Sequence, residues 1–310
     1  MTKILNDENG IALAAQLIKN GEIVAFPTET VYGLGANALD ACAVAKIFEA
    51  KGRPSDNPLI VHIDSTDKLS DIADGDLTLA RELFREFSPG PLTLVLPKNK
   101  NIPDTVTAGL KTVGVRIPAH PMALAFLKEC GLPIAAPSAN SSGRPSPTTA
   151  QHVLSDLEGR IEIILDGGPC DVGIESTVLD LTAEMPTILR PGAITEHRLL
   201  KMLKTVHKSG DFIGAPKAPG MKHKHYAPEV PLVIAENSED AVLKYRQNTE
   251  AGKKTIILNL GDSPEEASRN LFAKLREAEK EYDIIIISKL PDEGIWASVM
   301  NRLYKAAEGK

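Results

Sequence analysis

The stretch KGRPSDNP at residues 51–58 concentrates polar and charged side chains at close spacing. Its glycine and two prolines exclude a helix, and the residues that precede the prolines are restricted to extended geometry. Because alternate residues of an extended chain share a face, we predict one polar face made of Lys51, Arg53, Ser55 and Asn57. Two cations beside a hydroxyl and an amide suit a polyphosphate. A solvated surface loop is the alternative, but the prolines make the stretch rigid, so a binding site is favoured.

Two polar side chains interrupt otherwise apolar strand patterns. In VGVRIP (113–118), Arg116 points away from the apolar face, so it needs an anion or an exposed edge. A structural salt bridge and a carboxylate-binding role are about equally supported there. In LIVHI (59–63), His62 is by default a satisfied core histidine, and a hydrogen-bond donor that lines a cleft is the sharper interpretation.

Several loop residues could complete a cleft. A short apolar strand at 134–136 runs into PSANSSG (137–143), whose small side chains let backbone N–H groups approach a phosphate. Arg190 ends a strand just before a Pro-Gly pair and could enter the same cleft. Tyr226 lies beside Lys222 and Lys224 in a Gly- and Pro-rich stretch, so it could fold over a bound nucleotide as a lid.

Common nucleotide and nucleophile motifs are missing from the sequence. The G-x-G-x-x-A at 33–38 follows its strand only after PTETVY, whereas a dinucleotide fingerprint needs a tight strand-to-helix turn. The sequence has no Walker motif, no G-x-S-x-G and no H-E-x-x-H. The first turn of the C-terminal part, 236–238, has no glycine, which makes a nicotinamide-dependent oxidoreductase a poor hypothesis.

The elements that must position these residues alternate between apolar runs and helical periodicity. Strands are predicted at 22–26, 59–63, 92–96, 113–117, 134–136, 161–165, 176–181 and 187–190, and helices at 11–18, 41–50, 77–87, 121–129 and 149–157. Because strands and helices do not alternate strictly, we predict an α/β domain with a twisted mixed sheet over residues 1–200.

The pattern changes after residue 200. Residues 201–228 are rich in Gly, Pro, Lys and His and lack apolar periodicity, which predicts a linker. Strands at 231–235, 255–260 and 284–287 then alternate with helices at 238–248, 265–281 and 294–307. This alternation predicts a small Rossmann-like parallel α/β domain over residues 229–310.

Composition limits the classes of function. The 310 residues carry a formal net charge of −6 and only 4% aromatic residues, which argues against strong nucleic-acid binding. No apolar run approaches the roughly 18 residues of a membrane span, and the N-terminal segment soon turns polar, unlike a signal peptide. The three separated cysteines are typical of a reduced, cytoplasmic protein.

Seven segments, in this order, resemble the YrdC-like family. They are FPTETVYGLG (26–35), KGRPSDNPLIVH (51–62), SPGPLTLVL (88–96), VGVRIP (113–118), APSANSSGRPSPT (136–148), IESTVLDL (174–181) and LRPGAI (189–194). The HKHYAP stretch and the small C-terminal domain resemble the long, two-domain members. Seven ordered motifs are far more specific than any one of them.

The resemblance implies synthesis of L-threonylcarbamoyladenylate from L-threonine, bicarbonate and ATP, with release of pyrophosphate. This product serves N6-threonylcarbamoyladenosine formation in tRNA through a downstream transferase. It also implies Mg²⁺ held mainly by the ATP phosphates, with no protein metal site. Threonine's amine and bicarbonate form a carbamate that attacks the α-phosphorus, so the absence of a nucleophile motif is consistent with this chemistry.

The resemblance also implies roles for individual residues. Those expected around threonine are Thr30, His62, Arg116, Ala136 and Ser176, with Arg116 as the partner of the substrate carboxylate. Those expected around ATP are Lys51, Arg53, Asn57, Thr112, Ser138, Ser146, Arg190 and Tyr226. Lys51 and Arg53 are the expected catalytic residues, which stabilise charge in the transition state.

A non-catalytic RNA-binding protein is the main alternative. A cleft that holds Lys51, Arg53, Arg116 and Arg190 could bind a phosphate backbone instead of a nucleotide. The acidic total charge and the scarcity of aromatic residues weigh against it. Threonine-dependent consumption of ATP would distinguish the two hypotheses.

Overall fold

The computed structural model describes residues 1–208 and 225–308. They form two sheets that belong to two domains. The larger sheet has eleven strands and the smaller has three. Among these residues, no helix is long and apolar enough to cross a bilayer.

The first domain contains the eleven strands and seven α-helices. The strands are β1 (Lys3–Leu5), β2 (Val24–Phe26), β3 (Gly33–Asn37), β4 (Ile60–His62), β5 (Leu92–Pro97), β6 (Thr112–Arg116), β7 (Ile134–Ala136), β8 (Ile163–Leu165), β9 (Thr177–Asp180), β10 (Thr187–Arg190) and β11 (His207–Lys208). The helices are α1 (Glu8–Lys19), α2 (Ala41–Lys51), α3 (Thr78–Phe87), α4 (Asp104–Thr107), α5 (Pro121–Cys130), α6 (Ala150–Leu157) and α7 (Glu196–Leu199), with a 3₁₀ turn at Thr66–Asp71.

The strand order of the large sheet is β1-β8-β2-β3-β7-β4-β6-β5-β9-β10-β11, and it mixes parallel and antiparallel pairs, as expected from the irregular alternation. Strand β4 pairs parallel with β6 and antiparallel with β7, and β5 pairs antiparallel with β6 and parallel with β9. These central strands are short and almost wholly buried, so their polar members stand out against an apolar background. The predicted mixed-sheet fold is therefore confirmed.

The GLGAN segment forms strand β3, although no strand is predicted there from the sequence. It pairs antiparallel with β2 and with β7. A Cβ on Gly35 would lie 2.7 Å from a methyl group of Ile134, and one on Gly33 would lie 3.1 Å from the Phe26 ring. The glycines therefore allow close packing inside a sheet rather than a turn around a phosphate.

The C-terminal domain is a three-layer parallel fold. Its elements are β12 (Leu232–Ala235), α8 (Ser238–Glu250), β13 (Thr255–Ile257), α9 (Pro264–Glu281), β14 (Ile284–Ser288) and α10 (Gly294–Ala307). All pairs in the sheet order β12-β14-β13 are parallel. The predicted Rossmann-like arrangement is confirmed, although β13 ends three residues before the predicted 260.

The two domains share an apolar cluster. Val31 and Ile174 of the first domain are buried together with Tyr226 and with Leu271 and Phe272 of α9. At Gly173, where φ is +77°, an added Cβ would lie 2.4 Å from the carbonyl oxygen of Ser268. Helix α9 therefore lies directly on this loop of the first domain.

The predicted linker, 201–228, is only partly described. Its first residues continue the first domain, because β11 pairs parallel with β10. Residues 209–224, including Lys222 and Lys224, lie outside the described part. The domain boundaries at 200 and 228 stay a prediction.

Candidate active site

One cavity gathers polar residues from loops and strand ends of the large sheet. Its wall contains cations, hydroxyls and one carboxylate. The lining residues are Thr28, Val31, Gly33, Lys51, Arg53, Ile60, His62, Arg116, Ala136, Pro137, Ser138, Asn140, Ser142, Gly143, Glu175, Arg190, His225 and Tyr226.

Part of the cavity wall runs in a row across three neighbouring strands, β7, β4 and β6. His62 on β4 lies in register with Arg116 on β6, and Ala136 on β7 pairs with Ile60 on β4. On the other side of β6, Thr93 of β5 faces Arg116 and shares a 2.7 Å hydroxyl–hydroxyl contact with Ser176. The sheet register thus brings together residues that are up to 114 positions apart, from His62 to Ser176.

Lys51 joins helix α2 to the small-residue loop. The side-chain Nζ donates to the carbonyl oxygens of Ser138, at 2.5 Å, and Asn140. The backbone carbonyl of Lys51 also accepts from Ser142 N at 3.0 Å. Burial, followed by the positive charge of Arg53, lowers the pKa of Lys51 well below its ordinary value. An anionic ligand would offset this unfavourable electrostatic environment.

The predicted extended face of residues 51–57 is wrong. Lys51 is the last residue of α2, and the helix ends at Gly52 in the left-handed conformation, with φ +60°. The chain then turns, so Ser55 is exposed while Asn57 is 1% exposed. The Gly-Pro content excludes a helix as expected, but it produces turns instead of an alternating strand.

Arg53 and Asn57 nevertheless lie side by side. Nη2 of Arg53 donates to the Asn57 carbonyl oxygen at 3.2 Å. Among the described residues, the buried Nε of Arg53 and both side-chain amide atoms of Asn57 have no hydrogen-bond partner. Burial lowers the pKa of Arg53 to about 10. Buried polar atoms without partners are rare and costly, which is consistent with groups that a ligand satisfies.

Arg116 forms the ion pair that the sequence left open. Its Nη2 lies 2.7 Å from Oε1 of Glu29, and both side chains are buried. The Arg116 Nε donates to the Gly90 carbonyl oxygen at 3.4 Å, and Glu29 also accepts from Ala119 N at 3.0 Å. Because Arg116 also lines the cavity, the ion pair holds the guanidinium in place without removing it from the cavity wall.

His62 is neutral in this environment. Burial, followed by the charge of Arg116, lowers its pKa to about 3. Its Nδ1 lies 3.2 Å from the Ile60 carbonyl oxygen, and its ring packs edge-on against Phe26. The histidine is both part of the core and part of the cavity wall, so the two interpretations of its role are compatible.

A carboxylate, Glu175, lies on the opposite part of the wall. Oε1 accepts from Ser146 Oγ at 2.5 Å, and Oε2 accepts from Nε of Arg302 at 3.1 Å. Although burial raises its pKa, the charges of Arg302 and Arg190 and the Ser146 hydrogen bond hold the pKa of Glu175 below its ordinary value. The group is therefore a buried, ionised carboxylate.

Arg190 is fixed next to Glu175 by the Ser176 loop. Its Nε donates to the Ser176 carbonyl oxygen at 3.0 Å, and its Nη2 donates to Ser176 Oγ at 3.1 Å. Burial lowers the pKa of Arg190. These contacts orient a buried cation at the end of β10, where the sequence places it.

Tyr226 lies in the wall between the two domains. It is 5% exposed, and its ring centroid lies 5.3 Å from that of Phe272 on α9. Its backbone φ of +69° is left-handed, which costs a residue other than glycine about 1–2 kcal/mol. Packing against α9 holds this conformation and turns the side chain into the cavity wall.

Four predicted residues touch the cavity wall from behind, and one lies away from it. Thr30 Oγ1 lies 2.8 Å from Oγ1 of Thr28, while Asn57, Ser146 and Ser176 contact Arg53, Glu175 and Arg190, respectively. Thr112 lies at the other end of β6 from Arg116 and is not a lining residue.

Sequence reasoning missed several lining residues. Thr28 and Glu175 lie inside the quoted motifs. Thr28 is two positions from Thr30 and Glu175 is one position from Ser176, so closeness to a predicted site residue was the only signal. His225 also lines the cavity; within the described part of the chain its buried Nε2 has no hydrogen-bond partner, and burial lowers its pKa to about 4. Across residues 1–208 and 225–308, no group of three or more His, Cys, Asp or Glu residues could hold a metal ion.

Comparison with known proteins identifies the family. The Sua5/YciO/YrdC family, described as "Telomere recombination", matches residues 16–192. The family described as "Threonylcarbamoyl-AMP synthase, C-terminal domain" matches residues 194–308. The chain belongs to the Sua5/YciO/YrdC family.

Relatives within the Sua5/YciO/YrdC family match nearly the whole chain. A threonylcarbamoyl-AMP synthase from Pyrococcus abyssi is 46% identical, over 99% of this chain and 98% of its own. One from Bacillus subtilis is also 46% identical, over 97% and 93%. A crystal structure of P. abyssi Sua5 complexed with L-threonine superposes with a TM-score of 0.94, covering 99% of this chain and 98% of the other at 45% identity. The expected family and two-domain fold are confirmed.

Proposed function

We propose that the cavity makes L-threonylcarbamoyladenylate from L-threonine, bicarbonate and ATP, releasing pyrophosphate. The observation that carries the proposal is one wall where four cations converge from the end of α2 and the loop after it, from β6 and from β10; they are Lys51, Arg53, Arg116 and Arg190. Relatives named threonylcarbamoyl-AMP synthase, similar over nearly their full length, support the same activity. The product would supply N6-threonylcarbamoyladenosine formation in tRNA.

Threonine binds at the row of residues that crosses the central strands. Arg116 receives the substrate carboxylate while Glu29 holds its guanidinium. His62, Ala136, Thr30 and Ser176 surround the same end of the cavity. A neutral His62 suits this position, because a protonated ring next to Arg116 would repel the ammonium precursor of the carbamate.

ATP binds across the other end. Lys51, Arg53 and Arg190 offset the charge of the triphosphate, and the loop with Ser138 approaches it closely. The unpartnered amide of Asn57 and the Arg53 Nε gain partners from the nucleotide. Ser146 and Tyr226 complete this end, and Thr112 is kept as a proposed ATP contact although it lies off the cavity wall.

The chemistry requires positioning rather than a protein nucleophile. The threonine amine and bicarbonate combine to a carbamate with loss of water. A carbamate oxygen then attacks the α-phosphorus of ATP, the bond between the α-phosphorus and the α,β-bridging oxygen breaks, and the β- and γ-phosphates leave together as pyrophosphate. Lys51 and Arg53 are the proposed catalytic residues, because fixed cations stabilise the negative charge that develops in this step.

Magnesium would reach the site with ATP. Both carboxylate oxygens of Glu175 in the cavity wall already accept hydrogen bonds, from Ser146 and Arg302. The described residues therefore fit an ion that is held mainly by phosphate oxygens. Bound there, Mg²⁺ supplies neutralisation of phosphate charge. A downstream threonylcarbamoyl transferase would take the product, and the cytoplasmic location and weak direct nucleic-acid binding stay predictions.

The test is pyrophosphate release by the purified full-length chain. Release should require threonine and bicarbonate together, and Arg53→Ala should lower kcat by about 10²–10³-fold, as expected for loss of one preorganised charge. Arg85→Ala, which changes an exposed arginine on α3, is the matched control and should retain wild-type activity.

Two results would contradict the proposal. Near-normal turnover by Arg53→Ala would remove that residue from the catalytic pair. Salt-sensitive tRNA binding by a chain that never consumes ATP with threonine would favour the RNA-binding alternative.

A further inference from the structure

Arg302 of the C-terminal domain contacts a residue of the cavity wall, Glu175. Arg302 lies on α10, is 1% exposed, and its Nε donates to Oε2 of Glu175 at 3.1 Å. Its Nη2 also donates to the Glu175 carbonyl oxygen at 3.3 Å. The carboxylate that faces the nucleotide end is therefore neutralised by a residue from the other domain.

Helix α10 also holds the segment that follows Arg190. Nη1 of Arg302 donates to the Pro191 carbonyl oxygen, and Ser298 Oγ donates to the Gly192 carbonyl oxygen at 3.1 Å. Space there is tight, since a Cβ on Gly192 would lie 2.4 Å from Thr177 N. The same helix thus fixes both loops that flank Arg190 and Ser176.

The charges around Glu175 make this contact matter for ATP. Glu175 interacts electrostatically with both Arg302 and Arg190. Without Arg302, the buried carboxylate loses the arginine that contacts both its side chain and its backbone, and it keeps the Ser146 hydroxyl and the charges of Arg190 and Lys305. Removing one partner of a buried ion pair is strongly unfavourable. Arg190 would then be drawn to Glu175 and offer less positive charge to a phosphate.

We propose that Arg302 is a positioning residue for ATP: by pairing with Glu175 and holding Pro191, it keeps Glu175, Arg190 and Ser146 in the arrangement that meets the nucleotide. The proposal rests on the proposed function of the cavity. It makes the C-terminal domain part of the nucleotide site rather than only a support for the linker. Arg302 acts through Glu175, not through contact with the reacting atoms.

The test compares KM values for both substrates in full-length variants. Arg302→Met should raise KM for ATP about tenfold or more, with KM for threonine changed less than about twofold. Adding Glu175→Gln should return KM for ATP to within about threefold of wild type, because the unpaired charge is gone. Arg302→Lys should be intermediate, and it replaces Arg302→Met if that variant does not fold.

Arg269→Met is the control. Arg269 on α9 also donates across the domains, from its Nε to the Asp171 carbonyl oxygen at 3.0 Å, but neither residue lines the cavity. This variant should lower the Tm without the ATP-selective change in KM. Equal losses in both variants, equal changes in both KM values, or failure of Glu175→Gln to rescue would overturn the proposal.

The wild-type protein separates this proposal from the function it rests on. If the wild type releases no pyrophosphate, the proposed function fails. Calorimetric titration with ATP then still tests Arg302, because its loss should weaken ATP binding by a similar factor. If the wild type is active and Arg302→Met matches it, only the positioning role fails.

Discussion

The cavity holds two buried arginine–glutamate pairs that are built differently. Arg116 and Glu29 both belong to the first domain, and the arginine is the member proposed to meet substrate. In the second pair, Glu175 lines the cavity while Arg302 comes from α10 of the other domain. The threonine end is therefore completed within one domain, whereas the nucleotide end needs both.

This difference separates stability from binding at the two ends. Arg116 has two tasks, since it neutralises Glu29 and faces the cavity. At the other end the tasks are divided, because Arg302 neutralises Glu175 and Arg190 faces the cavity. Removing Arg116 should thus lower both the stability and the affinity for threonine. Removing Arg302 should raise KM for ATP, and substitution of Glu175 should reverse that change.

The largest effect is expected from Arg116→Met. It leaves the buried Glu29 carboxylate unpaired, which should lower the free energy of unfolding by about 3–5 kcal/mol. It should also remove the threonine carboxylate contact and raise KM for threonine. Urea unfolding and threonine-dependent pyrophosphate release measure the two effects.

The suppressor Glu29→Gln provides the contrast with the Arg302 pair. Combined with Arg116→Met, it should recover most of the stability but none of the threonine affinity, because the substrate has lost its own partner. Recovery of threonine KM in the double variant would mean that Arg116 only neutralises Glu29 and that the two pairs work alike.

A smaller effect is expected where α9 meets the first domain. Gly173→Ala places a Cβ 2.4 Å from the Ser268 carbonyl oxygen, and overpacking of this kind costs about 1–3 kcal/mol. Gly168→Ala is the matched control: its φ is +82°, but nothing lies within 4 Å. Both variants pay about 1–2 kcal/mol for the left-handed backbone.

The difference in stability between the two glycine variants measures the contribution of the contact between α9 and the first domain. Gly173→Ala should unfold at lower urea than Gly168→Ala and should raise KM for ATP more than KM for threonine. If the two variants unfold together and their KM values match, the docking surface is more adaptable than the contact indicates, and the two ends of the cavity are not distinguished by it.

Acid should lower the stability of the folded protein through His62. Its pKa is about 3 in the folded protein, against about 6.5 for an unfolded chain, so the unfolded state binds more protons between these values. The free energy of unfolding should therefore fall by up to about 1.4 kcal/mol per pH unit as the pH drops below about 6.5. In His62→Gln the slope should be shallower by that amount, as measured by urea unfolding at pH 7.5 and 5.5.

The smallest effect is expected far from both ends. Lys46 and Glu22 form an ion pair at 2.7 Å, but both side chains are about 40% exposed. Lys46→Ala should change the free energy of unfolding by no more than about 1 kcal/mol and leave both KM values unchanged. A larger loss would mean that pairing itself, rather than burial, sets the scale of the two pairs in the cavity.

The sequence predicts the strands of the fold correctly where a local run of apolar residues is enough to define them. LTLVL and LIVHI predict strands because apolar runs of that length must be buried, and β5 and β4 lie there. The short edge strand β1 and the glycine-rich β3 were missed. Their strand character comes from neighbours, since β1 pairs with β8 and β3 fits against Phe26.

The site was accessible to a similar extent. Single cations and polar residues on apolar strands marked Lys51, Arg53, Arg116 and His62, and the structure brings these to one cavity. The geometry of 51–57 was wrong because turns and extended chain share the same Gly-Pro composition. Partnerships such as that of Glu175 with Arg302, 127 positions apart, have no local signal at all.

That separation along the chain has a consequence for synthesis of the protein. A ribosome adds about 5–20 residues per second. The 127 residues that follow Glu175, up to and including Arg302, therefore take about 6–25 s to be made. During that time Val31 and Ile174 have no α9 to cover them, and the Glu175 carboxylate has no arginine from α10. A nascent chain can thus contain all residues of its proposed threonine end long before its nucleotide end is complete. We therefore expect it to contact chaperones, and not to catalyse the reaction, in that interval.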